Sequence, residues 1–123
     1  MPFTVEWDGA GLIKQLTGFV GASEFSRSAE ATTSHREFDR AKYVINDFTG
    51  VTGTDLIGAL ENVAVMRIGG SCTNAKLRVA YVHQDEEIKR FVAELLSGAL
   101  SCGWETGVFA TREEAIRWAT DSC

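Results

Sequence analysis

An α/β domain with a mostly parallel sheet is what the sequence predicts, and three observations carry the prediction. Strand-like runs alternate with helix-like runs along nearly the whole chain, the pattern of βα units feeding a parallel sheet. The first two strand-like runs are joined through Asp8-Gly9, a turn dipeptide that implies an antiparallel hairpin at the start. The 123 residues, 45% hydrophobic and 24% charged, suit one domain with a substantial core. The predicted order over residues 1–123 is β-β-α-β-α-β-α-β-α, about five strands in a mixed, mostly parallel sheet with about four helices.

Phe3-Thr-Val-Glu-Trp7 alternates apolar and polar residues, as a half-buried strand does. Beyond the turn, Leu12 to Thr17 forms the second strand, which Gly18 ends. From Gly21 to about Ser34 the sequence tolerates a helix, with Ala22, Phe25 and Ala29 on one stripe. Tyr43-Val-Ile-Asn-Asp-Phe48 is the clearest strand, and Thr49-Gly-Val-Thr-Gly53 reads as the loop after it. Thr54 or Asp55 then caps a helix whose apolar stripe is Leu56, Leu60, Val63, Ala64 and Ile68, and which Gly69-Gly70 stops. Leu77 to Val82 is the fourth strand. Asp85 caps a third helix, the strongest amphipathic pattern in the chain, with Ile88, Phe91, Val92, Leu95, Leu96, Ala99 and Leu100 on its stripe. Trp104 to Phe109 is a short last strand. Thr111-Arg-Glu-Glu114 is a capping box, in which hydroxyl and carboxylate each bond the other's backbone amide, and it opens a final helix through Ala115 and Trp118.

Composition removes several function classes. The formal net charge is −5, and the twelve basic residues are scattered. Their densest set, Arg36, Arg40 and Lys42, is interrupted by Glu37 and Asp39. Nucleic-acid binding needs clustered Lys and Arg against phosphate, so no nucleic-acid partner is expected. No apolar run is long enough to cross a bilayer, and the N-terminal residues lack the basic start and apolar core of a signal peptide, so a cytoplasmic protein without membrane insertion is expected. Cys72, Cys102 and Cys123 show no metal-ligand spacing with each other or with His, and no metal is expected. Cys102 reads as a small packed hydrophobe and Cys123 as an exposed thiol. P-loop, dinucleotide, Gly-x-Ser-x-Gly and zinc-helix patterns are all missing, so the sequence implies no cofactor.

Two groups of residues can carry chemistry. Asp47, Thr49, Thr52, Thr54 and Asp55 flank or fill the stretch beyond the third strand. In open α/β sheets ligands bind beyond the carboxyl ends of strands, which makes these five the candidate ligand or partner loop. The same residues also read as a solvated turn bonding its own backbone. His83 and Asp85 end the fourth strand. A His beside a carboxylate can act as an acid–base pair, though Asp85 is equally a helix cap.

The element order, together with Tyr43-Val-Ile-Asn-Asp-Phe-Thr-Gly-Val-Thr52, Val82-His-Gln-Asp85 and Val108-Phe-Ala-Thr-Arg-Glu-Glu-Ala115, resembles the SpoIIAA-like branch of the STAS superfamily. That group includes uncharacterised bacterial proteins, and its fold is similar to lipid-binding SEC14/CRAL-TRIO domains. The resemblance implies a non-catalytic binding or regulatory module acting on a protein partner. Anti-sigma-factor antagonists of this type carry an Asp-Ser-Ser-Gly-like turn whose serine is phosphorylated. Here Gly53-Thr-Asp-Leu-Ile-Gly58 occupies that stretch, with Leu56 and Ile57 where the hydroxyls would be, so the phosphorylation switch is not carried over.

The expected function is thus a STAS-type regulatory module that works through protein–protein interaction. A small carrier or sensor of an apolar ligand, of SEC14 type, is the alternative, with Phe25, Phe48, Trp104, Phe109 and Trp118 as possible lining or ordinary core. An enzyme using the His83/Asp85 pair is the third. A homodimer is expected because two-fold assemblies are the commonest soluble oligomers.

Overall fold

The computed structural model describes residues 3–83, 85–97 and 103–121. Among these, β1 (Phe3–Trp7), β2 (Leu12–Gly21), β3 (Tyr43–Asp55), β4 (Arg78–Val82) and β5 (Glu105–Phe109) form a sheet whose spatial order is the chain order. β1 runs antiparallel to β2, and every other pair is parallel. The helices are α1 (Ala22–Thr33), α2 (Leu60–Thr73), α3 (Glu86–Ser97) and α4 (Arg112–Thr120). The expected element order, mixed sheet and helix number are all present.

This order decides where the helices lie. Right-handed crossovers that always step the same way put every connecting helix on one face. α1, α2 and α3 accordingly share a core with Leu12, Leu16, Val20, Val44, Val79 and Tyr81 of that face. α4 comes after the last strand and covers the opposite face alone, packing Ala115 and Ala119 on Tyr43, Ile45, Ala80 and Val82. Phe25 ties α1 to α3 through an edge-on contact with Phe91, 5.6 Å between ring centroids.

The opening turn behaves as its sequence implies. Gly9 has φ of 100°, open to glycine at little cost. The Asp8 carboxylate accepts from the amides of Ala10 (2.9 Å) and Gly11 (2.7 Å) and also takes the Tyr43 hydroxyl, which locks the hairpin to β3.

Several sequence expectations are corrected, three of them along β2 and β3. Gly18 does not end β2: the strand passes through it in a left-handed conformation, φ 69°, and continues to Gly21. Thr49-Gly-Val-Thr-Gly53 is not a loop but part of the thirteen-residue β3. Pairing slips between Gln15 and Thr17 and between Gly18 and Phe19, each time with an extra residue on β3, so the turn-like residues mark bulges inside a strand. Thr54 and Asp55 therefore cannot cap α2. The chain instead makes a 3-10 turn over Ile57–Ala59, and α2 begins behind Ala59 without a side-chain cap.

Gly69-Gly70 does not stop α2, which runs on to Thr73. Gly70 is there for packing, since a Cβ would sit 2.8 Å from the Trp104 ring and 2.9 Å from that of Phe38. The buried stripe of α2 is Val63, Ala64, Arg67 and Gly70; Ile68, expected inside, faces outward. On α3 the stripe Ile88, Phe91, Val92 and Leu95 is buried as expected, whereas Leu96 is exposed. Ala99, Leu100, Cys102 and Cys123 lie outside the described residues. Thr111 accepts from the Glu114 amide as a cap should (3.2 Å), but the Glu114 carboxylate takes the Thr111 hydroxyl, not its amide.

Candidate functional site

β4 stops pairing with β3 at the Asp47↔Val82 step, while β2 follows β3 as far as Gly21↔Asp55. β3 thus overshoots β4, and a cleft of about 350 Å³ opens beside it. Phe48, Thr49 and Val51 of β3, His83, and Asp85 and Ile88 at the start of α3 line this cleft. The fold therefore brings Thr49, His83 and Asp85 together at the carboxyl edge of the sheet, where open α/β sheets hold ligands.

The remaining candidates do not converge there. Asp47 is turned to the α4 face and only 3% exposed. Its Oδ1 accepts from the Thr49 amide (2.9 Å) and hydroxyl (2.7 Å), and its Oδ2 from Arg112 Nε (2.7 Å). Arg112 also donates to the side chain of Gln15. Burial works against the Asp47 charge, but the Thr49 donors and the Arg112 guanidinium outweigh it and hold the carboxyl below its ordinary pKa. Asp47 thereby fastens the first turn of α4 to the sheet. Thr52 and Asp55 are exposed along the bulged part of β3. Thr54 pairs with Val20 in register and is buried, with no hydrogen-bond partner for its hydroxyl among the described residues.

His83 is 4% exposed. Its Nδ1 accepts from the Asp85 amide (2.8 Å), which assigns the proton to Nε2, and Nε2 is buried without a partner among the described residues. Removal from water, helped by Lys89 and opposed by Asp85 and Glu86, lowers its pKa and keeps the ring neutral. The Asp85 carboxylate accepts from the Glu87 amide (3.0 Å), capping α3. The two residues are joined through a backbone amide, so the imidazole–carboxylate bond of an acid–base pair is not made.

No protein-family model matches the chain, and no curated protein matches it by sequence. Solved structures do match. The anti-sigma factor antagonist SpoIIAA, in its unphosphorylated form, superposes with a TM-score of 0.61 at 17% identity, over 94% of this chain and 96% of that one. An uncharacterised protein of the DUF3478 family from Shewanella loihica PV-4, itself of SpoIIAA-like fold, gives 0.58 at 16% identity, over 95% and 91%. The fold is SpoIIAA-like.

Within this SpoIIAA-like frame, residues that sequence reasoning passed over form a second polar cluster, on the helix-covered face. Lys14 of β2 and Arg67 of α2 are 3% and 5% exposed and line one narrow pocket of about 40 Å³ between α1, α2 and the sheet. Both left a signal in the sequence. Lys14 stands in the buried phase of Leu12-x-Lys14-x-Leu16, and Arg67 continues the Val63, Ala64 stripe at helical spacing. That cavity is also far below the several hundred Å³ that a drug- or lipid-sized ligand fills.

Proposed function

We propose that this protein is a non-catalytic regulatory module that acts by docking a protein partner on the outward face of α2. One observation carries the reading. Ile57, Glu61, Val65, Ile68, Gly69 and Cys72 form one exposed stripe along α2 and the turn before it, flanked by the exposed Gly58, Asn62 and Thr73. Glu61 is the sole charge on it, because the other charged residue of α2, Arg67, is buried. Ile57 and Val65 are 53% and 55% exposed. A surface helix that leaves its solvent side apolar is missing a cover. Gly69 and Cys72 are small enough to let another backbone come close.

The structural neighbours support this reading. SpoIIAA is an anti-sigma factor antagonist, and the stripe begins at Ile57, in the stretch where the sequence resemblance would put a phosphorylated serine. With no hydroxyl at Leu56 or Ile57, docking here would be set by partner availability and not by phosphorylation at that site.

The test is Val65→Glu with Ile68→Glu, two exposed positions at which charge leaves the fold intact. Partner capture by the intact chain, with cross-linking to locate the contact, is compared with capture by the variant. The expected result is a partner cross-linked at α2 that the variant loses while its melting temperature stays within about 2 °C. An unchanged partner set, or a contact mapped elsewhere, overturns the proposal. Native mass spectrometry of the isolated chain separates a second copy from a different partner on the same stripe.

A further inference from the structure

The pocket between α1, α2 and the sheet is lined by two cations and, among the described residues, by no counter-charge. Lys14 Nζ bonds the Ser28 hydroxyl at 3.1 Å and lies 4.9 Å from the centre of the Phe25 ring. Arg67 donates to the Thr106 hydroxyl at 2.8 Å and lies 5.4 Å from the centre of the Trp104 ring. Hydroxyls and ring faces are their only partners, and no Asp or Glu lines the cavity among the described residues. Buried charges in proteins are otherwise paired or neutralised. We propose that the cavity between α1, α2 and the sheet is a binding site for a small carboxylate, of formate size, held between Lys14 and Arg67.

Size, charge and shape each point to that class. About 40 Å³ has room for roughly three atoms the size of a water oxygen. A monoanion would offset one of the two positive charges, whose ring and hydroxyl contacts only partly replace water. A carboxylate is planar and matches a guanidinium, and the neighbouring Phe25, Phe38 and Trp104 wall the rest of the pocket. The site is on the opposite face from the Asp47–Arg112 pair and is independent of what docks on the outside of α2.

Binding is coupled to a proton. Burial lowers the Lys14 pKa from 10.5 to about 7, so the empty site sheds this charge just above neutrality. The other titratable groups lining the cavity are Arg67 of α2 and Tyr81 of β4, while α1 presents Thr32 and β3 Asn46. A bound carboxylate favours the protonated amine, so affinity is highest below pH 7. Above that it falls, by at most about tenfold per pH unit, until the Lys14 pKa of the complex is reached.

The experiment is an NMR titration of 13C-labelled lysine side chains with sodium formate, at ionic strength held by sodium sulfate, whose anion is too large for the cavity. The expected result is a saturable shift of the Lys14 Cε resonance, assigned by its loss in Lys14→Met, and a Lys14 pKa at least one unit higher with formate. Affinity should be about three- to fivefold weaker at pH 8 than at pH 7, and at least tenfold weaker in Arg67→Met. If Arg67→Met fails to fold, the Lys14 pKa of the intact chain with and without formate decides alone. An unchanged pKa at 100 mM formate means a water-filled cavity and overturns the proposal. So does the same response to sulfate, which would place the effect at the surface, or formate binding that survives Arg67→Met.

Discussion

Asp47 and Lys14 are equally buried, each 3% exposed, and face opposite sides of the same sheet. Asp47 has Arg112 at 2.7 Å and two Thr49 donors, and its charge is retained. Lys14 has a serine hydroxyl and a benzene ring, and its proton is held weakly. The difference follows from what covers each face. α4 reaches Asp47 from the rim, so Arg112 stays 40% exposed and keeps part of its hydration while it makes the pair. α1 and α2 close over Lys14 completely and bring with them a second cation. A fold can hold a buried charge cheaply when its partner keeps one side in water. Where both groups are enclosed and alike in sign, the cost stays in the native state.

The largest effect that would sharpen this contrast is the pH dependence of Lys14. Its folded pKa lies below its unfolded value, so between pH 7 and 10.5 the unfolded chain binds more protons and stability rises with pH. The intact chain should gain on the order of 4 kcal/mol over that window relative to Lys14→Met, at about 1.4 kcal/mol per unit. Urea melts of both proteins across the window check it, and parallel curves would mean that Lys14 is not desolvated. Arg112→Met breaks the other half of the comparison. It leaves the Asp47 carboxylate with Thr49 alone and should cost about 2 kcal/mol at pH 7. That loss should shrink as acid protonates Asp47, whose stabilising contribution is present above its unfolded pKa and disappears as pH falls through the folded one. Smallest is Thr54→Val, which removes a buried hydroxyl that has no partner and keeps its shape. A gain of about 1 kcal/mol is expected, read as a higher urea midpoint at unchanged slope. A loss would show that the hydroxyl is satisfied by water.

The architecture was legible because apolar period and turn chemistry agreed along most of the chain: Asp8-Gly9, the Tyr43–Phe48 run and the Ile88, Phe91, Val92 and Leu95 part of the α3 stripe lie where their patterns put them. The stretch from Thr49 to Asp55 was not, because bulge residues and turn residues are the same residues. Thr and Gly mark a strand interior here only because β2 pairs alongside, a tertiary fact no local window contains. The site was legible in part. His83, Asp85 and Thr49 do meet at one cleft, as strand-end positions suggest. Asp47 left the group for Arg112, sixty-five positions away, a pairing that no spacing rule reaches. Lys14 and Arg67 carried the right signal, a cation in the apolar phase of its element, but a single such residue usually snorkels to water. Only the packing of α1 and α2 closes that route.

Because the strands lie side by side in the order in which they occur, no strand has to be inserted between two that are already paired. Each βα unit adds to an edge left open by the unit before it. A chain emerging from the ribosome can therefore assemble its sheet in the order of synthesis, with each closure spanning only one connecting helix. α4, laid across Tyr43 and Ile45 of β3 and Ala80 and Val82 of β4 and clamped to Asp47 by Arg112, can close only once those two strands lie side by side.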